Sequence, residues 1–199
     1  MFKKNELVSD SFIIAEVGQN HQGDLDVAKE YIKSFSETGV DAIKFQTRNN
    51  KYLFSESAYN RSYDSENAFS DVYGLHREKL ELLCDIGVDI LKVASFDLGN
   101  LPFIKRIAKK HVPVVISVGG GKIDQIRLSV KMLLDELDEV AVLHCVSEYP
   151  CEIDRVGLDN INALKDEFPE CVIGLSDHFN GIITGPIGYM KGARVFEKH

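Results

Sequence analysis

No CxxC pair and no zinc-finger spacing occurs among the four cysteines, Cys84, Cys145, Cys151 and Cys171. A structural metal cluster or a disulfide framework is therefore disfavoured, and reduced thiols are expected. No basic run offsets the formal charge of −8; the densest pair, Lys109 and Lys110, sits near Arg106. This argues against a general nucleic-acid binder, so an anionic ligand must be held by local cations. No apolar stretch approaches the ~18 residues of a membrane span, and residues 1–10 are polar without the apolar core of a signal peptide. The expectation is a cytoplasmic protein with neither membrane nor nucleic-acid partner. The GxGxxG spacing is also missing: residues 118–121 are glycine-rich without it, which makes a dinucleotide site a weak reading.

What is present is ordinary for one globular domain. The 199 residues are 44% hydrophobic and 27% charged, enough for a sizeable core without a second domain. The organising stretch is residues 12–24, FIIAEVGQNHQGD: an apolar, β-branched run, a glycine-punctuated polar loop, then an amphipathic helix over 25–38. This unit recurs. Strands are expected at 12–17, 41–47, 89–95, 113–118, 139–147, 172–178 and 193–199. Helices are expected at 25–38, 78–85, 101–110, 123–137, 158–167 and 182–191, with Gly39, Gly87 and Gly192 as helix C-caps. Such alternation implies parallel strands with right-handed crossovers, whose C-terminal ends share one mouth. A closed (β/α) barrel has eight strands and about 250 residues, so this chain is short by about one unit and a final helix.

Period two along a strand decides which side chains meet in that mouth. Lys44 and Gln46 share a face with Ala42, while Ile43 and Phe45 take the other. Ile14, Glu16 and Gly18 align, as do Ile90 and Lys92; Gly174, Ser176 and His178 form a third set, and Ala193, Val195, Glu197 and His199 a fourth. A lone buried histidine is usually a satisfied core residue, but two inward ones on neighbouring strand ends reverse that preference. A mouth lined by two lysines, a glutamate and two histidines is costly to desolvate unless a ligand or metal neutralises it. If Ser147 faces the mouth, alternation turns His144 away into packing. His21 reads equally as a loop-ordering residue or a substrate contact, and His76 and His111 read as surface residues.

The runs IIAEVGQNHQGDLDVAK, DAIKFQT, LKVAS, LPFI, VVISVGG, LHCVSEYP, IGLSDH and the closing EKH, in this order and spacing, resemble the sialic acid synthase family. These are the N-acetylneuraminate and N-acylneuraminate-9-phosphate synthases, which condense phosphoenolpyruvate with N-acetylmannosamine or its 6-phosphate. The resemblance implies a TIM-type (β/α) barrel over residues 1–199, incomplete with seven recognisable parallel strands. It also implies a divalent metal, manganese first and magnesium or cobalt as alternatives, held by His178 of the SDH motif and His199 of the EKH motif. The phosphoenolpyruvate positions match Lys44, Lys92, Ser95, Ser117, Ser147 and Ser176, where lysine supplies point charge and hydroxyls complete the hydrogen bonds. Gln46 and Tyr149 match the sugar side as binding residues, and Glu16 and Asp97 match it as the catalytic carboxylates. In isolation each serine reads equally as a strand-end cap, and Asp97 as a helix-capping aspartate.

The chain departs from the family pattern in three ways, one being that a further acidic residue beyond the last strand, which the resemblance ties to catalysis, is not in the 199 residues. Residues 76–89 run straight through where relatives have a further helix and a third strand, and the C-terminal antifreeze-like domain, which crosses a homodimer with an arginine, is not in the 199 residues. These departures keep two alternatives open beside a sialic-type synthase. One is a catalytically inactive truncated barrel retaining metal or ligand binding; the other is a related keto-acid sugar synthase acting on another aldose. The polar stretch 48–73 reads either as the determinant of sugar choice or as a solvated loop.

Overall fold

The computed structural model describes residues 11–18, 20–21, 24–46, 55–60 and 89–199. The chain divides into two compact units, one formed by Met1–Ile14 with Asp89–His199 and the other by Ala15–Val88. Among the described residues there are seven strands: β1 (Phe12–Gly18), β2 (Ala42–Phe45), β3 (Leu91–Val93), β4 (Val114–Ser117), β5 (Val140–Cys145), β6 (Val172–Asp177) and β7 (Val195–Lys198). Helices α1 (Leu25–Ser36), α2 (Glu56–Tyr59), α3 (Leu101–Ala108), α4 (Ile123–Leu134), α5 (Asn160–Glu167) and α6 (Thr184–Met190) alternate with them. None of these helices is long and apolar enough to cross a membrane.

In the first unit β3, β4, β5, β6 and β7 pair in sequence order, every pair parallel. Phe12 at the start of β1 joins β7 through its N–H, which donates to the Arg194 carbonyl at 2.7 Å. Valine is the commonest residue of β4, β5 and β6, whose residues are buried throughout, as strands covered on both faces require. One set of alternate residues, Val93, Val114, Ile116, Val140, Val142 and Ile173, packs with Ile104, Leu133 and Ile161 from the helices. Each such fully buried side chain contributes about 1.5–3 kcal/mol of transfer free energy. The opposite set forms cross-strand rows by register: Ser117 beside Leu143, Leu143 beside Gly174, Gly174 beside Val195, and above them Cys145, Ser176 and Glu197. Gly174 is required in this layer, because a Cβ there would lie 2.2 Å from the Val195 carbonyl oxygen and 2.4 Å from Leu143 Cδ2.

The second unit carries the remainder of β1, α1, β2 and α2. Asp24 caps α1, its carboxylate accepting the N–H groups of Asp26 and Val27 at 2.8 and 3.1 Å. The Gln46 N–H donates to the Gly18 carbonyl at 3.0 Å, tying the ends of β1 and β2.

The α/β alternation and seven strands of an incomplete (β/α) barrel are thus as expected, with several boundaries corrected. The ladders stop earlier than the apolar runs, so Gln46, Ser95, Ser147, His178 and His199 lie just past strand ends rather than inside strands. Ser95 instead opens a 3-10 turn, Ser95–Asp97. Leu158 precedes α5, and α6 begins at Thr184 because the segment before it is taken up by a turn. Part of the expected polar stretch 48–73 is helical, at α2. Gly39 and Gly192 have positive φ, 82° and 102°, as residues following helix ends do. The helix expected at 78–85, Gly87, His76, Cys84 and the stretch where a third strand is expected to be missing lie outside the described residues.

Candidate active site

The C-terminal ends of β3 to β7 bring together most of the predicted residues of the first unit. Lys92, on β3, extends its ammonium to Ser117 Oγ at 2.7 Å and the Val93 carbonyl at 3.1 Å, with Glu197 Oε2 at 3.6 Å. Ser176 Oγ donates to Glu197 Oε1 at 3.1 Å, so β3, β4, β6 and β7 meet through one lysine, two hydroxyls and one carboxylate. Glu197 is 2% exposed and Ser117 equally buried. Burial pushes the Lys92 ammonium below the ordinary lysine range, with Glu197 and Cys145 partly offsetting it.

Gly119 joins Ser95 to Ser147. Its N–H donates to Ser95 Oγ at 2.9 Å. A Cβ at this position would stand 2.6 Å from Ser147 Oγ and 2.9 Å from the Cys145 carbonyl oxygen, so only glycine lets the β4 loop approach the end of β5. Cys145 Sγ lies 3.9 Å from Ser147 Oγ. Burial works against its thiolate, but His178, Ser95 and Ser147 together hold the Cys145 thiol below its ordinary value.

The two histidines predicted as metal ligands follow adjacent strands and face one another, with ring centroids 4.3 Å apart at 63°. His178 Nδ1 lies 2.6 Å from the Val146 carbonyl, which fixes an N–H there and leaves the Nε2 lone pair as the inward-facing group. That Nε2 is buried, with no hydrogen-bond partner among the described residues. His199 Nδ1 lies 3.3 Å from the Asp177 carbonyl, and its Nε2 is 3.8 Å from Glu197 Oε1. Backbone carbonyls behind the rings and imidazole nitrogens in front are the donor chemistry of a first-row divalent cation site. Burial opposes the imidazolium of His178, yet Cys145, the Val146 carbonyl and Glu197 hold it above its ordinary value. Tyr149 lies tilted by 37° against His178 at 3.9 Å between centroids and meets His199 edge-on at 5.6 Å; it is 68% exposed and so forms a rim.

Asp97 lies within the 3-10 turn after β3, its N–H donating to the Ala94 carbonyl at 3.0 Å. In the second unit the Lys44 ammonium is bound to the Glu16 carboxylate, both largely buried, with Gln46 two residues beyond Lys44. His21 is fully buried and presents its ring edge-on to Phe45 at 5.4 Å, which favours the loop-ordering reading. His144 is turned outward as alternation requires: it is buried, with Nε2 2.6 Å from the Val156 carbonyl. His111 is exposed. Among the described residues Cys145, Cys151 and Cys171 are buried.

Two residues of the cluster were given no role from sequence: Glu197, placed only on the face of His199, and Cys145. Both carried a usable signal. Glu197 precedes His199 by two, and Cys145 precedes Ser147 by two, so each shares a strand face with a residue that was chosen.

Residues 67–199 match the model of the NeuB family. The chain is 33% identical to the N-acetylneuraminate-9-phosphate synthase of Homo sapiens, over 94% of this chain and 61% of that protein. It is 31% identical to the N,N'-diacetyllegionaminic acid synthase of Legionella pneumophila, over 94% of this chain and 63% of that protein. A solved structure, N-acetylneuraminic acid (sialic acid) synthetase from Leptospira borgpetersenii serovar Hardjo-bovis, aligns with a TM-score of 0.77 and 30% identity, covering 96% of this chain and 73% of that one. The chain spans about three fifths of the length of the curated relatives it matches. With the family match running through β3 to β7 and both histidine-bearing strand ends, and with these relatives aligned along nearly its whole length, the chain belongs to the NeuB family.

Proposed function

We propose that this chain condenses phosphoenolpyruvate with N-acetylmannosamine, or its 6-phosphate, to a nine-carbon sialic-type keto acid with release of phosphate. The observation that carries the reading is the buried group at the ends of β3 to β7: Lys92, Ser117, Ser176 and Glu197 beside the paired rings of His178 and His199. Lys92 with Ser95, Ser117, Ser147 and Ser176 supplies charge and hydroxyls for the phosphate and carboxylate of the donor. Tyr149 gives the sugar a flat rim, and the family resemblance assigns Lys44 to the donor and Gln46 to the N-acyl group.

His178 and His199 would hold the divalent ion, manganese as the family resemblance implies, through their Nε2 atoms. Bound there, the ion supplies Lewis acidity toward the aldehyde oxygen of the open-chain sugar. Lys92 and the serines fix phosphoenolpyruvate so that its C3 faces that aldehyde carbon, which is worth several kcal/mol of orientation. A carbon–carbon bond forms from C3, the aldehyde oxygen takes a proton, and water adds at C2 with loss of its own proton. The C2–O bond to phosphate then breaks as the new hydroxyl gives up its remaining proton to the departing phosphate, leaving the 2-keto acid. Glu16 and Asp97 are assigned to sugar positioning and proton movement.

The experiment is phosphate release from phosphoenolpyruvate with each sugar in the presence of manganese, for the wild type and Lys92→Met. A charged hydrogen bond is worth about 1.5–3 kcal/mol, so the variant's KM for phosphoenolpyruvate should rise about 10- to 100-fold. Turnover with neither sugar would sink the proposal. Manganese binding without turnover would instead favour the inactive, ligand-binding alternative.

A further inference from the structure

Asp177 and Lys198 are register partners on β6 and β7, and each immediately precedes a candidate metal histidine. Alternation turns their side chains to the face opposite His178 and His199, so neither is aimed at substrate. Asp177 is nonetheless 5% exposed and heavily engaged. Its carboxylate accepts the Thr184 hydroxyl at 2.6 Å and the Phe179 N–H at 3.1 Å, and pairs with Lys198 Nζ at 3.1 Å. The Lys198 ammonium also donates to the Phe179 carbonyl. The Asp177 carbonyl accepts the His199 N–H at 3.3 Å and lies 3.3 Å from His199 Nδ1. The carbonyl of His178 accepts the Cys151 N–H at 3.0 Å, next to a bridge between Cys151 and Phe179. One aspartate therefore grips the neighbouring strand with its side chain, orients a ring with its carbonyl, and fixes the turn that follows the other ring.

We infer that the Asp177–Lys198 pair is a positioning brace that sets the separation and tilt of the two imidazoles, and with them the affinity for the divalent ion. The inference rests on the reading of His178 and His199 as the metal pair. Supporting groups behind metal ligands change affinity by about 10- to 100-fold when removed. Lys198 is 40% exposed, so its replacement removes the brace without opening the core.

The test is the manganese dissociation constant, read from the electron paramagnetic resonance signal of the free ion. The proteins compared are the wild type, Lys198→Met, Lys198→Arg, Asp177→Asn and His178→Ala. Phosphoenolpyruvate affinity without metal is measured alongside by calorimetry. Lys198→Met should weaken manganese about 10- to 100-fold, Lys198→Arg should restore most of it, and phosphoenolpyruvate affinity should stay at the wild-type value. Asp177→Asn should follow Lys198→Met; if it does not fold, the lysine pair of variants decides alone. Wild-type manganese affinity in Lys198→Met, with affinity lost in His178→Ala, overturns the brace and leaves the metal reading intact. Equal loss of metal and phosphoenolpyruvate binding in Lys198→Met also overturns it, because that is general loosening. Wild-type manganese affinity in His178→Ala removes the metal reading, and the brace falls with it.

Discussion

The Lys92 ammonium sits among Ser117 Oγ, the Val93 carbonyl and the Glu197 carboxylate, where burial favours the neutral amine and Glu197 favours the cation. Removing the carboxylate takes away a group that holds the proton on, so Glu197→Gln should lower the Lys92 pKa further. Phosphoenolpyruvate binding, followed by calorimetry from neutral to alkaline pH, should then fall off at a lower pH in the variant than in the wild type. An unchanged alkaline limb would mean that Lys92 does not carry donor binding. Gly119→Ala tests the other half of the site: its Cβ must displace Ser147 Oγ or the end of β5, at a cost of about 1–3 kcal/mol, seen as a lower Tm and weaker phosphoenolpyruvate binding. At this scale the sequence was informative about faces and poor about contacts. Alternation placed Ser176 and His178 together, yet it says nothing of which donor meets which acceptor. Glu197 was therefore placed on the face of His199 but given no role, although it links Lys92 to Ser176.

Each strand delivers chemistry at its tip and packing along its length, and β5 separates the two most clearly. Cys145 points to the site, while His144 is buried on the other face against the Val156 carbonyl. Burial pushes His144 below the ordinary imidazole value, with the Val156 carbonyl opposing that only in part. In the unfolded chain the ring titrates near its ordinary pKa of about 6.5. The folded state therefore binds the proton less tightly, so its stability is fully present above that value and is lost as pH falls through the depressed folded pKa. His144→Gln keeps a donor for Val156 without a proton to gain, so its Tm should depend less on pH than the wild type's between pH 7 and 5, as thermal melts at stepped pH would register. Identical slopes would show that His144 is not the linked group. Element identity was legible because apolar runs in β4, β5 and β6 are continuous and β-branched. Their ends were not, because hydrogen-bond ladders stop where the backbone turns to serve loops, as at Ser95, whose hydroxyl is occupied by the Gly119 N–H.

The division into two units was invisible to period and composition, since both carry the same strand, loop and helix grammar. It matters for ion binding because His178 and His199 belong to one unit, together with the Val146 and Asp177 carbonyls that orient them. An ion held by that pair stabilises the unit that contains it, by RT ln(1 + [L]/Kd), about 2.7 kcal/mol at one hundred times Kd. In a chain of this size each kcal/mol moves Tm by about 2–4 °C, so manganese at that excess should raise the melting transition by about 5–10 °C. Chelation should reverse the rise. His178→Ala and His199→Ala should each abolish it while leaving the metal-free transition close to the wild type's, since each ring lies past the end of its strand rather than within the packed apolar layer. A full manganese-dependent rise in both variants would place the ion on other ligands, and the histidine pair would then be a packing contact between neighbouring strand ends.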